Sequence, residues 1–207
     1  MQTLQKSMQV SRMLKTIALL VLFTAAGCRG LLSFSPERAV VQTVLSSNTF
    51  GMQAQPDTVQ VLQSKTLEGN QFVQVAFQAV DERGLQQECL FVYETRRTPV
   101  GFVTGSGGGG CGPTNQPDEA PIGISVGSSG GAGVVYTEAD GFVYQPEIAS
   151  LEVIWEDGEK QAVEVVNGAY LALRSGRQAL DQIKALDAAG EVVYTHESGP
   201  PIPEKQP

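Results

Sequence analysis

From Thr58 onward the chain alternates apolar and polar side chains with a period of two, and turn-forming residues interrupt the alternation at short intervals. The clearest stretch is 72–80, where Val73, Val75, Phe77 and Ala79 share one face and Gln74 and Gln78 the other. Successive side chains of an extended strand point to opposite faces, so this pattern suits a half-buried strand rather than a helix. Glu68-Gly69-Asn70, Asp81-Glu82-Arg83-Gly84, Glu138-Ala139-Asp140-Gly141, Glu156-Asp157-Gly158, Asn167-Gly168 and Asp187-Ala188-Ala189-Gly190 read as connections between strands. Asp-Gly and Asn-Gly are the strongest of these signals, because a tight hairpin needs positive φ at its turn.

The pattern predicts strands around Val59 and Val61 and over 72–80, 85–95 and 99–104. A second group is expected over 134–137, 142–145, 151–155, 163–166, 169–173, 183–186 and 191–195. Residues 178–185 also allow a helical turn. Ser35-Pro36-Glu37 predicts a helix start, with a capping hydroxyl, proline at the first helical position and an acid in the first turn. Ala39, Val40, Val44 and Leu45 then share a face, which gives a helix to about Ser46. The fold class is therefore α+β and mainly β: a short N-terminal helix and an antiparallel meander over 36–104, then a small β-sandwich-like hairpin module over 122–197. Residues 105–121 are rich in Gly and Pro and read as the connection between the two. Residues 198–207 carry too much proline and too little apolar surface to fold, so they read as a disordered tail.

Ahead of all this, Lys15 precedes twelve uncharged residues, Thr16 to Gly27. A membrane-spanning helix needs about 20 apolar residues, so the run is too short to cross. Basic residues, a short apolar stretch and then small residues describe a secretory signal peptide. Ala25, Ala26 and Gly27 are followed by Cys28. Here the sequence resembles the bacterial lipoproteins, whose lipobox is a small-residue run ending in an invariant cysteine. Position 25 is Ala where that family most often has Leu, and a start at Met8 or Met13 would give a leader of more ordinary length. The resemblance covers residues 1–28 alone. It implies a signal peptide over 1–27, lipidation of Cys28 with diacylglyceryl and palmitate, and a short tether over 28–35. The localisation it implies is exported and lipid-anchored to the cell envelope, at the outer membrane where a cell has one, since Arg29 and not Asp follows the cysteine.

That compartment bears on the other two cysteines, Cys89 and Cys111, which in an exported protein are expected to pair. A hairpin turning near Arg97 would bring Cys89 opposite Gly105, and the glycines over 105–110 would let the chain loop back and place Cys111 over the strand. Closing a loop of roughly 22 residues adds about 3 kcal/mol in the chain-entropy treatment.

The formal net charge is −8; without the three basic residues ahead of Cys28, 11 basic side chains face 22 acidic ones, a net of −11. Such a surface repels polyphosphate, so nucleic acid is not an expected partner. Gly105, Gly107 and Gly110 match GxGxxG in form, but Cys-Gly-Pro-Thr-Asn-Gln-Pro follows where a dinucleotide site needs a helix. Gly127-Ser-Ser-Gly-Gly-Ala-Gly133 reads as a flexible turn. His196 is the sole histidine and sits beside the tail. The carboxylate pairs Asp118/Glu119 and Glu156/Asp157 fall in loops or turns, where solvation explains them. No metal, cofactor or catalytic cluster is expected, and Trp155, Tyr136, Phe142 and Tyr170 read as core. The expected role is a non-enzymatic binding, structural or accessory one, with an envelope protein or glycan as partner. The alternatives are an envelope hydrolase using carboxylates and a small-ligand-binding module at the glycine-rich loops.

Overall fold

A computed structural model describes residues 33–47, 52–113, 120–131 and 134–199. The predicted signal peptide, Cys28, Asp118 and Glu119 and most of the predicted tail lie outside these residues. Within them the chain forms a helix, α1 (Pro36–Ser46), and the strands β1 (Gln53–Ala54), β2 (Gln60–Leu67), β3 (Asn70–Val80), β4 (Gln86–Thr98), β5 (Gly101–Pro113) and β6 (Ser125–Gly131). The chain continues through β7 (Val134–Phe142), β8 (Ser150–Trp155), β9 (Lys160–Glu164), β10 (Ala169–Ser175), β11 (Leu180–Leu186) and β12 (Val192–Glu197). The fold is α+β and mainly β, with every strand pairing antiparallel.

α1 starts as its sequence predicts: Ser35 Oγ accepts the Arg38 amide at 3.2 Å, and Pro36 opens the first turn. It buries Ala39, Val40 and Val44 and leaves Leu45 exposed. Val40 and Val44 pack on Val73, Val75, Phe77 and Ala79 of β3 and on Cys89, Phe91 and Tyr93 of β4. The predicted face of the 72–80 strand is thus the face that receives the helix.

Three sheets stack behind α1. The first runs β1-β3-β4-β5, with β2 also paired to β3; the second runs β6-β7-β10; the third runs β9-β8-β11-β12. Phe72 and Val92 of the first sheet share a core with Tyr136, Leu171 and Leu173 of the second. Ala139, Tyr170 and Ala172, on the other face of the second sheet, pack on Leu151, Val153, Trp155, Ile183 and Ala185 of the third. The three-stranded sheet is therefore buried on both faces. The first sheet curls, so that β5 runs beside β6 and β2 meets β10, and the two sheets enclose a narrow interior.

Most predicted turns form. Glu68 and Gly69 have φ of 50° and 80°, Asn167 and Gly168 have 51° and 74°, and Gly84, Gly158 and Gly190 are also left-handed. Three expectations fail at the level of elements. Residues 105–113, read as connection, continue β5 opposite β4, and 127–131 lie in β6 opposite β7. By contrast, the strand expected over 183–186 forms, as β11, and the alternative helical turn over 178–185 does not. Glu138-Ala139-Asp140-Gly141 is not a turn, because it lies inside β7, where all four residues pair with β10 and the first three also pair with β6. A ladder on both sides outweighs the local preference of Asp-Gly for a turn. Gly141 instead permits close approach: a Cβ there would stand 1.8 Å from the Gly123 carbonyl oxygen.

The disulfide between Cys89 and Cys111 forms, though not by the expected route. The hairpin turns at Pro99 and Val100 rather than near Arg97, and β5 stays extended, so the two cysteines face each other in register, with their Cα atoms 4.0 Å apart. The glycines of β5 are what that strand needs rather than slack. Tyr93 pairs with Gly107 and Phe91 with Gly109, and Phe77, Phe91 and Tyr93 form a stacked row with centroids 5.7 and 6.0 Å apart. A Cβ on Gly107 would stand 2.5 Å from the Tyr93 ring, so the ring covers the bare backbone of its neighbour.

Candidate functional site

The interior between the first two sheets is not purely apolar. Alternation along β4 turns Leu90, Val92 and Glu94 inward, and alternation along β7 turns Tyr136, Glu138 and Asp140 to meet them. Glu94, Glu138 and Asp140 are all buried. Glu94 is compensated: Arg96 reaches its two oxygens at 3.2 Å each, and the Ser106 hydroxyl donates to it at 3.1 Å. Tyr136 closes this end, with its hydroxyl 3.5 Å from Ser106 Oγ and its ring edge-on to Phe72 at 4.4 Å.

Glu138 and Asp140 have no such partners. Glu138 Oε2 and both oxygens of Asp140 are buried without a hydrogen bond. The neighbouring amide of Gln74 is turned elsewhere: its Nε2 donates to the Tyr170 carbonyl at 2.8 Å, its Oε1 accepts from Gln63 at 2.8 Å, and its second N–H does not reach Asp140 in hydrogen-bond geometry. Burial favours the uncharged acid. It pushes Glu138 up to about 8, with the Asp140 charge adding to the shift. Asp140 is pushed up to about 7 by burial, which Gln74 and Ser125 oppose from nearby without reaching hydrogen-bond geometry. Room for Glu138 comes from glycines on β5 of the facing sheet and on the adjacent strand β6. A Cβ on Gly108 of β5 would stand 2.1 Å from Glu138 Oε1, and one on Gly127 of β6 would stand 3.0 Å from it.

Asp140 lies on an opening. A cleft of about 170 Å³ parts the end of β5 from the segment entering β6, with Asp140 among its lining and Leu90, Phe142 and Tyr144 as its apolar walls. Glu88 stands on the same cleft and raises Tyr144, whose hydroxyl is pushed up first by burial. Phe142 and Tyr144 lie 6.2 Å apart, tilted toward each other. Two larger depressions carry less chemistry. In the one between α1 and β5, about 250 Å³, Thr43 is satisfied by Thr104 at 2.8 Å. In the one beside the β3–β4 turn, about 370 Å³, Asp81 accepts the Leu85 and Arg83 amides at 2.9 Å and pairs with the Arg83 side chain.

The residues singled out from sequence fall elsewhere. Glu156 and Asp157 sit in the β8–β9 turn, where Arg174 grips Asp157 through two nitrogens, at 2.6 and 2.5 Å, and Glu159 at 2.6 Å. These bonds hold Asp157 down at about 2. Gly105, Gly107 and Gly110 are strand residues with no helix after them. His196 lies on β12 opposite Ile183, in a different sheet from Asp140. Trp155, Tyr136 and Tyr170 are core, as expected, and Phe142 is half-buried. Among the described residues no group of three or more His, Cys, Asp or Glu side chains is placed to hold a metal ion.

Glu94, Glu138 and Asp140 escaped the reading of the sequence. Asp140-Gly141 carried a turn signal, and polar alternation on a strand ordinarily marks a solvated face. The glycine density of β5 and β6 was the available signal, since bare backbone on two strands leaves space for long side chains on a third. Comparison of the chain with models of protein families, with curated proteins and with solved structures returns no match.

Proposed function

We propose that this is an exported protein, held at a cell-envelope membrane through Cys28, whose folded body binds a small ligand in the cleft between β5 and β6. The observation that carries the binding role is Asp140, which is among the residues lining an open cleft and whose buried carboxyl oxygens have no hydrogen-bond partner. A buried polar group left unpaired costs roughly 1–3 kcal/mol. A ligand that supplies the missing donors recovers this, so an orphaned carboxyl at a cleft suits a binding site. The cleft is below the usual 300–1,000 Å³ of drug-sized pockets, which fits a small molecule. An envelope protein or glycan contacting the outer surface remains part of the proposal.

The anchoring half rests on the small residues before Cys28 and on the disulfide, which suits an oxidising compartment. Among the described residues no helix is long and apolar enough to cross a membrane. Four residues separate Cys28 from Ser33, a reach of at most about 18 Å, so a lipid on Cys28 would hold the body close to the bilayer. Ser33 bridges to Phe102, which pairs in turn with Arg97. The same end exposes Phe34 (88%) and Val100 (61%), two apolar side chains suited to an interface.

A hydrolase working through carboxylates is the second reading, favoured by the raised Asp140 and Glu138. Of these two, Asp140 alone lines the cleft, with Glu88 as its other carboxyl. The test of the proposal is fractionation with ligand capture. Wild-type protein is expected in the membrane fraction and Cys28→Ala in the soluble one. Pooled small polar molecules should raise the thermal midpoint of the wild type and not of Gly110→Leu. A Cys28→Ala protein that still partitions with membranes sinks the anchor, and consumption of a pool component with turnover replaces binding by hydrolysis.

A further inference from the structure

The chemistry of the ligand follows from which glycines the fold requires. Gly107 is bare because the Tyr93 ring covers it, Gly108 because Glu138 lies against it, and Gly109 because it holds φ of 145° with the Leu90 carbonyl 2.2 Å from where a Cβ would be. Gly110 and Gly112 have no such reason. A Cβ on either would meet nothing within 4 Å, and neither has positive φ. A strand glycine costs about 0.5–1 kcal/mol relative to alanine, so two that packing does not require call for another reason. Gly110 pairs with Leu90 and Gly112 with Glu88. Paired residues of an antiparallel ladder present side chains to the same face. Both missing side chains would therefore point into the cleft where Asp140 lies, and their absence keeps it open.

The lining selects among ligands. Among the described residues no Lys or Arg lines the cleft, so an anion finds no countercharge from them. The ionisable acceptors on it are the carboxyls of Asp140 and Glu88. An ammonium carries three donors and no acceptor, which is what an unpartnered carboxyl calls for. The rings of Phe142 and Tyr144 offer faces that attract a cation and surface that suits a short apolar body. Resting on the reading of the cleft as a binding site, we propose that it takes a small organic cation, a primary ammonium with a short apolar body. The ammonium lies against Asp140, the body lies along Leu90, Phe142 and Tyr144, and Glu88 supplies the second charge at the rim.

Binding needs Asp140 ionised, so affinity rises with pH across the range in which Asp140 loses its proton. The groups that face Asp140 are Glu138 on its own strand, Gln74 from β3 and Ser125 from β6, with Glu88 of β4 across the cleft, and Tyr170 of β10 senses its charge from the opposite face of the sheet. None is a cation that would displace the ligand.

The experiment is calorimetric titration of the full chain, in non-ionic detergent, with benzylammonium, benzyl alcohol and benzoate at pH 8 and pH 6. Saturable benzylammonium binding is expected, tighter at pH 8 than at pH 6, with the alcohol and the benzoate weaker by about tenfold or more. Asp140→Asn should weaken benzylammonium by at least about tenfold, and Gly110→Leu or Gly112→Leu should abolish it. Each variant is first shown to melt cooperatively like the wild type. Absence of saturable benzylammonium binding overturns the proposal, as does binding that survives Asp140→Asn. Equal binding of benzyl alcohol, lost in Gly110→Leu, overturns the cation while leaving the cleft as a binding site. Benzylammonium binding unchanged in both leucine variants overturns the cleft itself.

Discussion

At the scale of single residues, the protein turns on a contrast among three buried carboxyls. Glu94 has Arg96 and Ser106, whereas Glu138 Oε2 and the buried oxygens of Asp140 accept no hydrogen bond, with Gln74 and Ser125 near Asp140 but out of bonding geometry. Burial is the first cause of both upward shifts, and for Glu138 the Asp140 charge is the second. Carbon NMR of the carboxyl groups should therefore find the Asp140 midpoint near 7. In Asp140→Asn the Glu138 midpoint should fall from about 8 yet stay above the usual carboxylate range, because removing a like charge leaves the desolvation in place. A Glu138 midpoint that does not move would mean that the two groups do not sense one another. Residue chemistry that acts locally was legible in the sequence: the Ser35 cap, Pro36, and the left-handed glycines of the turns all stand where their types place them. Asp140 was not, because its role depends on two neighbouring strands that only the fold supplies.

At the scale of elements, β5 shows why a glycine-rich stretch resists reading. Locally, 105–110 has the composition of a flexible connection; in the fold it is strand, because the aromatic row of β3 and β4 lies over it on one side and Glu138 fills the space on the other. These two environments make opposite expectations for one substitution. Gly108→Ala drives a Cβ onto a buried carboxyl and should lower the unfolding free energy by about 1–3 kcal/mol in denaturant titration. Gly110→Ala, with open space and no positive φ, should be neutral or stabilising by up to about 1 kcal/mol. Equal effects at the two positions would remove the distinction on which the cleft argument depends. The disulfide was legible as a pair and not as a geometry, since a turn displaced from Arg97 to Pro99 and Val100 converts a looped-back contact into a rung of the ladder. Replacing both Cys89 and Cys111 with Ala should cost about 3 kcal/mol in the chain-entropy treatment, measured as the drop in denaturant midpoint against the oxidised wild type.

At the scale of the whole molecule, the sequence carried the mainly antiparallel β class and the short helix α1, but not the stacking of three sheets. Period-two alternation tells which face of a strand is apolar and not which sheet covers it. β7 and β10 are apolar or enclosed on both faces, so the pattern that separates inside from outside fails there. If Cys28 carries the lipid, the end with Phe34 and Val100 faces the bilayer. Phe34→Trp should then be quenched by brominated lipid in reconstituted vesicles, whereas Leu85→Trp, on the β3–β4 connection, should not. The most direct test of the account is the unfolding free energy of the full chain between pH 5 and pH 8, in the wild type and in Glu138→Gln/Asp140→Asn. A carboxyl whose folded pKa lies above its unfolded value binds protons more tightly when folded, so it stabilises the fold at low pH and loses that contribution as pH rises through the folded value. Asp81 and Asp157 are shifted the other way, and their contribution is lost only on acidification, below this window. The wild type should therefore lose stability with rising pH relative to the double variant, by about 1.4 kcal/mol per pH unit for each group between its two pKa values. Parallel pH profiles for the two proteins would show that Glu138 and Asp140 are ionised and satisfied in the fold, and would contradict the unpartnered carboxyl on which the binding site is built.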